Sequence, residues 1–161
     1  MTLPFAAGQR VLASDLNTAT QQGAWTPYTP VWSSTGTAVN LSNGTIVGYY
    51  AKVGRLVTVK ISLDTGSTTT YGTGSYIFTL PLAASVTGIP SGGFAHSGVW
   101  SMYNAGNSTF YTATAVIQQG SPSSLIGLAT GSASFLGATT PTTFSGTGCH
   151  FQCTITYEST S

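Results

Sequence analysis

The stretch Gly48 to Gly66, GYYAKVGRLVTVKISLDTG, decides the fold because it reads as two strands joined by a tight turn. Alternate residues in its second half are apolar and would share one face of a strand: Val57, Val59, Ile61 and Leu63. Lys60 falls on the opposite face, where it would meet solvent or a neighbouring chain. Lys52 and Arg55 flank Val53-Gly54 at the tip of the predicted hairpin. We expect these charges to protect a sheet edge and to aid solubility rather than to form a ligand site.

Short strands continue along most of the chain. Turn signals recur at intervals of about 8–12 residues, and no amphipathic helix follows the first 24 residues. The predicted strands cover 45–52, 56–63, a segment within 71–82, 94–103, 109–118, 125–128, 132–136 and 148–158, with a long loop over 139–148. This pattern predicts an all-β protein, an antiparallel β-sandwich with a jelly-roll-like topology.

Residues 1–24 differ from the rest and predict an N-terminal anchoring arm, followed by a head domain over 25–161. Ser14 would cap a short helix that begins at Asp15, and Gly23 would end it. Two helical turns are too short to be stable alone in water, so the helix must dock onto another surface. The candidate anchoring residues are apolar: Val11, Leu12, Leu16 and Ala19. Pro27 and Pro30, which follow, predict an extended edge or linker.

Charge is scarce throughout the chain. Only 4% of the 161 residues are charged, with four Lys and Arg against three Asp and Glu, whereas a typical soluble domain has about 25%. Serine, threonine, glycine and asparagine fill the surface instead. Copies of such a protein repel one another little, so we expect a component of a permanent assembly.

The same composition excludes two classes of partner. Four scattered basic residues cannot make the many phosphate contacts that nucleic-acid binding requires. The opening residues lack the charged segment followed by a long apolar run that a signal peptide has. No stretch of the sequence reaches the ~18 consecutive apolar residues of a membrane helix. We therefore expect a chain made in the cytosol, with no nucleic acid bound and no membrane insertion.

The two cysteines lie in GCHFQCTITYE, where alternation places Cys149 and Cys153 on one face of a strand. Residues four apart on a strand are roughly 13 Å apart, whereas a disulfide needs Cα atoms within about 7 Å. His150 points to the opposite face, which disfavours a Cys-His-Cys metal site. We expect two buried thiols in a core strand, and neither a disulfide between them nor a bound metal.

Few residues of this chain could act as catalytic groups. The acids are Asp15, Asp64 and Glu158, at positions that do not predict the paired carboxylates of a glycosidase. His96 would share a strand face with Phe94 and Trp100, as a half-buried, hydrogen-bonded histidine. No GxSxG, HExxH or phosphate-loop motif occurs. We expect no catalytic residue within one chain and no cofactor.

With no catalytic residue expected, ligand binding is the next function to consider. Exposed aromatic rings among Ser and Thr side chains can stack on sugar rings, although aromatic residues of a small sandwich more often belong to the core or to a subunit interface. The candidate ligand-facing residues are Tyr71, Tyr103 and Trp32.

The segment GYYAKVGRLVTVKISLDTGSTTTYGTGSYIFTLPLAAS closely resembles a recurring segment of minor tail and tail fibre proteins of phages of actinobacteria. The matching residues are Tyr49, Tyr50, Val53, Gly54, Arg55, Leu56, Val57, Gly72, Thr73, Gly74, Tyr76, Leu80 and Pro81. The opening FAAGQRVLASDLNTA is similar to their attachment segment, and CTITYE to their closing strand. The resemblance implies a homotrimeric virion structural protein, anchored to other virion proteins by its arm.

Three functions stay open at this point. The head domain could adsorb to host-surface glycans, or the protein could be a capsid decoration or cementing protein without a ligand. The third is a depolymerase whose site forms between subunits, with Asp64 paired to an acid of a neighbour; three acids per chain disfavour it. All three imply location in the virion.

Overall fold

A computed structural model describes residues 24–131 and 133–160. The predicted arm helix and its candidate anchoring residues, Val11, Leu12, Leu16 and Ala19, lie outside these ranges. Within them the chain forms strands joined by turns and loops. The strands are β1 (Thr26–Tyr28), β2 (Trp32–Ser34), β3 (Thr45–Val53), β4 (Leu56–Asp64), β5 (Tyr76–Thr79), β6 (Phe94–Asn104), β7 (Thr109–Gln118), β8 (Ser124–Ala129) and β9 (His150–Glu158).

The strands make one continuous sheet in the order β1-β3-β4-β9-β6-β7-β8-β5-β2, and every neighbouring pair is antiparallel. The sheet curls, so that its β5–β2 end lies over β9 and β6. Trp32 of β2 packs 6.5 Å from Phe151 of β9, and Phe78 of β5 packs 4.6 Å from Trp100 of β6, measured between ring centroids. The predicted all-β antiparallel class is confirmed, and its two layers come from one curled sheet.

The hairpin that decides the fold is β3–β4. Its strands pair from Thr45 with Asp64 to Val53 with Leu56, and Gly54 takes a left-handed φ of 60° in the turn. The alternate residues Val57, Val59, Ile61 and Leu63 are all buried, and Lys60 is exposed on the other face. The two short edge strands, β1 and β2, contain or flank the prolines that predicted an extended edge.

One predicted strand is wrong. The described part of 132–136 makes a single bridge, Leu128 with Phe135, instead of a strand. This segment crosses between two strands: Leu136 donates its N–H to the carbonyl of Gly127 at 2.7 Å and accepts from the N–H of Tyr76 at 2.8 Å. A Cβ at Gly127 would lie 2.8 Å from that of Leu136, so glycine leaves the space that the leucine side chain fills.

The strand expected within 71–82 is β5, which begins after Gly72 and Gly74 take left-handed φ values of 60° and 83°. One further expectation needs correction. Phe94 does not share the inner face with Trp100, because the register shifts between Phe94 and His96. Phe94 is exposed, whereas His96 is half-buried and its Nε2 lies 2.9 Å from the carbonyl oxygen of Ser85, as expected of a structural histidine.

An aromatic cluster fills the centre of the core. Phe151 has ring-centroid distances of 4.6 Å to Phe144, 6.1 Å to Tyr76 and 6.5 Å to Trp32. Aromatic pairs in such geometry stabilise a fold beyond the area that they bury. Through these three contacts Phe151 connects β9 to β5, to β2 and to the 139–148 loop.

Replacing Phe151 with alanine should lower the free energy of unfolding by about 3–5 kcal/mol, because the substitution leaves a cavity where three rings meet. Urea denaturation followed by fluorescence measures this change. Phe110→Ala is the matched control, since Phe110 is 79% exposed and surface substitutions usually change stability by less than about 0.5 kcal/mol. Equal effects of the two substitutions would contradict this packing.

Both cysteines are buried and free, as expected, and burial raises the pKa of the Cys153 thiol well above its usual range. The thiolate is the reactive form of cysteine. The native protein should therefore react with no equivalent of an aromatic disulfide reagent at pH 8, and with both thiols after unfolding in guanidinium chloride. Rapid reaction of either thiol in the native state would show that this side of the core is open.

Candidate functional site

The outer face of the sheet, meaning the side of β3, β4, β9, β6 and β7 that points away from the core, carries exposed apolar side chains. Strand alternation places them there, opposite the buried residues of the same strands. Four large apolar residues of this face are between 45% and 79% exposed: Tyr49, Val47, Val99 and Phe110. Because these side chains are exposed on a surface with little charge, the outer face is the first place to look for contact with another molecule.

Four residues of this face form a line across four adjacent strands, here named the aromatic row. Asp64 of β4 pairs with His150 of β9, His150 pairs with Tyr103 of β6, and Tyr103 pairs with Phe110 of β7. Cross-strand partners on one face lie about 4.5–5.5 Å apart at Cβ. The register alone therefore brings together residues that are far apart in sequence.

Neighbouring side chains of the aromatic row contact one another. The ring of Tyr103 stacks on that of His150 at a centroid distance of 6.0 Å and an angle of 28°, and lies 5.0 Å from the ring of Phe110. Nδ1 of His150 is within hydrogen-bond and ion-pair distance of Oδ1 of Asp64, and both side chains are about half exposed. A carboxylate can only accept, so it favours the imidazole tautomer with the proton on Nδ1 and leaves Nε2 as an acceptor.

An open depression of about 180 Å³ adjoins the row and is lined by Ser101, Met102, Tyr103, Phe110, His150 and Gln152. Its edge combines aromatic rings with a hydroxyl, an amide and an imidazole. Rings offer apolar surface to the faces of a ligand, and the polar groups offer donors and acceptors to its edges. This combination suits a sugar, which has apolar ring faces and hydroxyls around its edge.

A second, larger depression lies on the same face and is here named the Lys60 groove. It has a volume of about 390 Å³ and is lined by Val47, Tyr49, Lys60, Ile61, Ser62, Gln152, Cys153 and Thr154. The Lys60 ammonium lies 4.5 Å from the centre of the Trp25 ring, which is a cation–π contact. Gln152 lines both depressions.

The three ligand-facing candidates have different outcomes. Tyr103 lies in the aromatic row. Trp32 is only 8% exposed and packs in the core, so the prediction that it faces a ligand is wrong. Tyr71 is half-buried; its hydroxyl donates to the carbonyl of Gly146 at 2.8 Å, and burial raises its pKa. That hydroxyl holds the 139–148 loop, which is a structural role.

The sequence analysis missed Phe110 and the partnership of Asp64 with His150. Alternation placed His150 on the outside of its strand, and Asp64 was considered only as the partner of an acid from another subunit. The missing information was the order of strands, because β9 lies between β4 and β6. The strands 94–103 and 109–118 were both predicted, yet nothing in the sequence indicated the register that sets Phe110 beside Tyr103.

Arg55, in the turn of the β3–β4 hairpin, contributes little to this site, whereas Lys60 of the same hairpin lines the Lys60 groove. Arg55 pairs with Glu158 at 3.1 Å and also donates from Nε to the carbonyl of Ser159 at 3.2 Å. Both partners of the ion pair are about half exposed, and exposed pairs of this kind stabilise by about 1 kcal/mol or less. The pair connects the hairpin turn to the end of β9.

Within residues 24–131 and 133–160, no three His, Cys, Asp or Glu side chains group as a metal ion would need. The same residues contain no helix of the length and apolarity that crossing a membrane would require. Comparison of the chain with protein-family models, with curated proteins and with solved structures found no match.

The two histidines should show opposite tautomers, because their partners differ. His96 has Nε2 against a carbonyl oxygen and His150 has Nδ1 against a carboxylate, so the proton should be on Nε2 in His96 and on Nδ1 in His150. Long-range ¹H–¹⁵N NMR at a pH where both rings are neutral measures this directly. Asp64→Ala should shift His150 toward the Nε2–H form and leave His96 as the internal control. Nε2–H in wild-type His150 would contradict the contact.

Proposed function

We propose that this protein is a phage virion structural protein, a homotrimeric tail- or fibre-type component whose β-sheet head attaches the particle to glycans of the host surface. The resemblance of the segment from Tyr49 to Pro81 to minor tail and tail fibre proteins supports the virion role. The aromatic row supports the attachment role, and it is the observation on which the proposal rests.

Sugar recognition fits the chemistry of the row. Tyr103 and Phe110 present ring surface to solvent beside groups that can donate or accept hydrogen bonds. Asp64 holds the imidazole of His150 in one orientation, so that its Nε2 is positioned in advance for a ligand hydroxyl. Groups that are already ordered lose less conformational entropy when a ligand binds.

The homotrimer in this proposal is supported by the lack of charge. With three acidic and four basic residues per chain, copies can approach closely with little electrostatic repulsion. Exposed apolar side chains away from the aromatic row provide surface for such contacts: Val31, Val53 and Leu56. The same side chains also favour the second candidate function, a capsid decoration protein that binds only other virion proteins.

Phe110→Ala and Tyr103→Ala should each weaken binding of the purified protein to actinobacterial host cells about tenfold, because each removes a stacking ring and the area that it covers, on the order of 1.4 kcal/mol. A pull-down titration on cells and on their extracted cell-wall polysaccharide measures this. The control is Phe94→Ala, another exposed phenylalanine, which lies at the far end of β6 from Tyr103.

Wild-type protein that binds neither cells nor polysaccharide would refute the attachment role. Immunogold labelling of intact particles then separates the two candidates, because label on the capsid with no sugar binding supports the decoration protein. Label at the tail together with loss of binding in both row variants supports attachment.

A further inference from the structure

We infer that the aromatic row and the Lys60 groove form one continuous track, which binds a linear oligosaccharide of at least three sugar residues lying across the strands. This inference rests on the proposed attachment function. It adds the length of the ligand, its direction on the sheet and a second set of contact residues.

Gln152 makes the two depressions continuous. It lies on the outer face of β9, where it pairs with Ser62 of β4 on one side and with Ser101 of β6 on the other. Ser62 lines the groove and Ser101 lines the depression beside the row. These three uncharged side chains form a polar strip between the two ends, with hydroxyls and an amide that both donate and accept.

The dimensions require a ligand longer than one sugar. Tyr49 is on β3 and Phe110 is on β7, so four strand-to-strand steps separate them in the order β3-β4-β9-β6-β7. With neighbouring strands about 4.8 Å apart, the two rings lie on the order of 20 Å from each other across the sheet. One pyranose ring can contact only one of them at a time.

The two ends offer complementary contacts. Tyr103 and Phe110 supply stacking surface at one end, and Tyr49 with the Trp25–Lys60 pair supplies it at the other. Among the described residues, no carboxylate lies within ion-pair distance of Lys60. Its ammonium can therefore donate to hydroxyl, carboxylate or phosphate oxygens of a bound chain.

A sugar chain fits this face better than a peptide strand does. Peptides that extend a sheet bind at an edge, where backbone N–H and C=O groups are unpaired. Across the track the strands β4, β9 and β6 are paired on both sides. Recognition there has to come from side chains, and those present are rings, hydroxyls and amides.

The test uses labelled oligosaccharides of one to six residues, prepared by partial hydrolysis of the host cell-wall polysaccharide that the full-length protein binds. Fluorescence anisotropy gives the affinity for each length. We expect at least a tenfold rise in affinity from the monosaccharide to the tetrasaccharide, followed by a plateau once the track is filled.

Two variants test whether each end of the track contacts the oligosaccharide. Tyr49→Ala should abolish most of the gain between disaccharide and tetrasaccharide, and Phe110→Ala should weaken binding at every length. Phe94→Ala is the matched control and should leave the whole series as in the wild type. Far-UV circular dichroism and the oligomeric state are measured for each variant.

Equal affinity for all lengths would overturn the extended track while leaving the attachment function intact. Absence of binding to both the fragments and the parent polysaccharide would instead refute the attachment function. Dissociation of the oligomer by Tyr49→Ala would overturn the inference too, because it would identify the Lys60 groove as a contact between subunits.

Discussion

The insertion of β9 between β4 and β6 is the constraint on which the rest of the structure depends. Strand β9 pairs with β4 over nine residue pairs and with β6 over six, so it joins the β3–β4 hairpin to the β6–β7 hairpin. Its alternation sends Phe151, Cys153, Ile155 and Tyr157 into the core and the residues between them outward. One strand therefore completes the core on one side and the outer face on the other.

The candidate site follows from that insertion. His150 and Gln152 lie next to each other on the outer side of β9, and each acquires partners on both neighbouring strands. On the described strands the outer face carries few charged groups: Asp64 with its partner His150, the ammonium of Lys60, and Glu158, which pairs with Arg55. The remaining groups are hydroxyls, amides and rings, which suit a neutral, hydroxyl-bearing ligand more than a strongly charged one.

Strand positions could be predicted from the sequence wherever one face is apolar and the other polar. The alternation in β4 and β9 is regular, and β7 was predicted at its observed bounds. The segment 132–136 has apolar residues of the same kind, but Leu136 bonds both to Gly127, nearby in sequence, and to Tyr76, a distant partner that periodicity does not report. Trp32 was misjudged for a similar reason, since its burial comes from the curl of the sheet. The aromatic row needed the strand order, which local pattern does not contain.

The position of β9 also affects how the chain can fold during synthesis. The β3–β4 and β6–β7 hairpins are local and can form as soon as their residues leave the ribosome, at rates typical of hairpins. They cannot join, because the strand that belongs between them is the last of the nine to be made. Until then each hairpin exposes an unpaired edge and the apolar side chains of an incomplete core, which is a state prone to association with other chains. Insertion of β9 into this gap is therefore the step that completes the central part of the sheet.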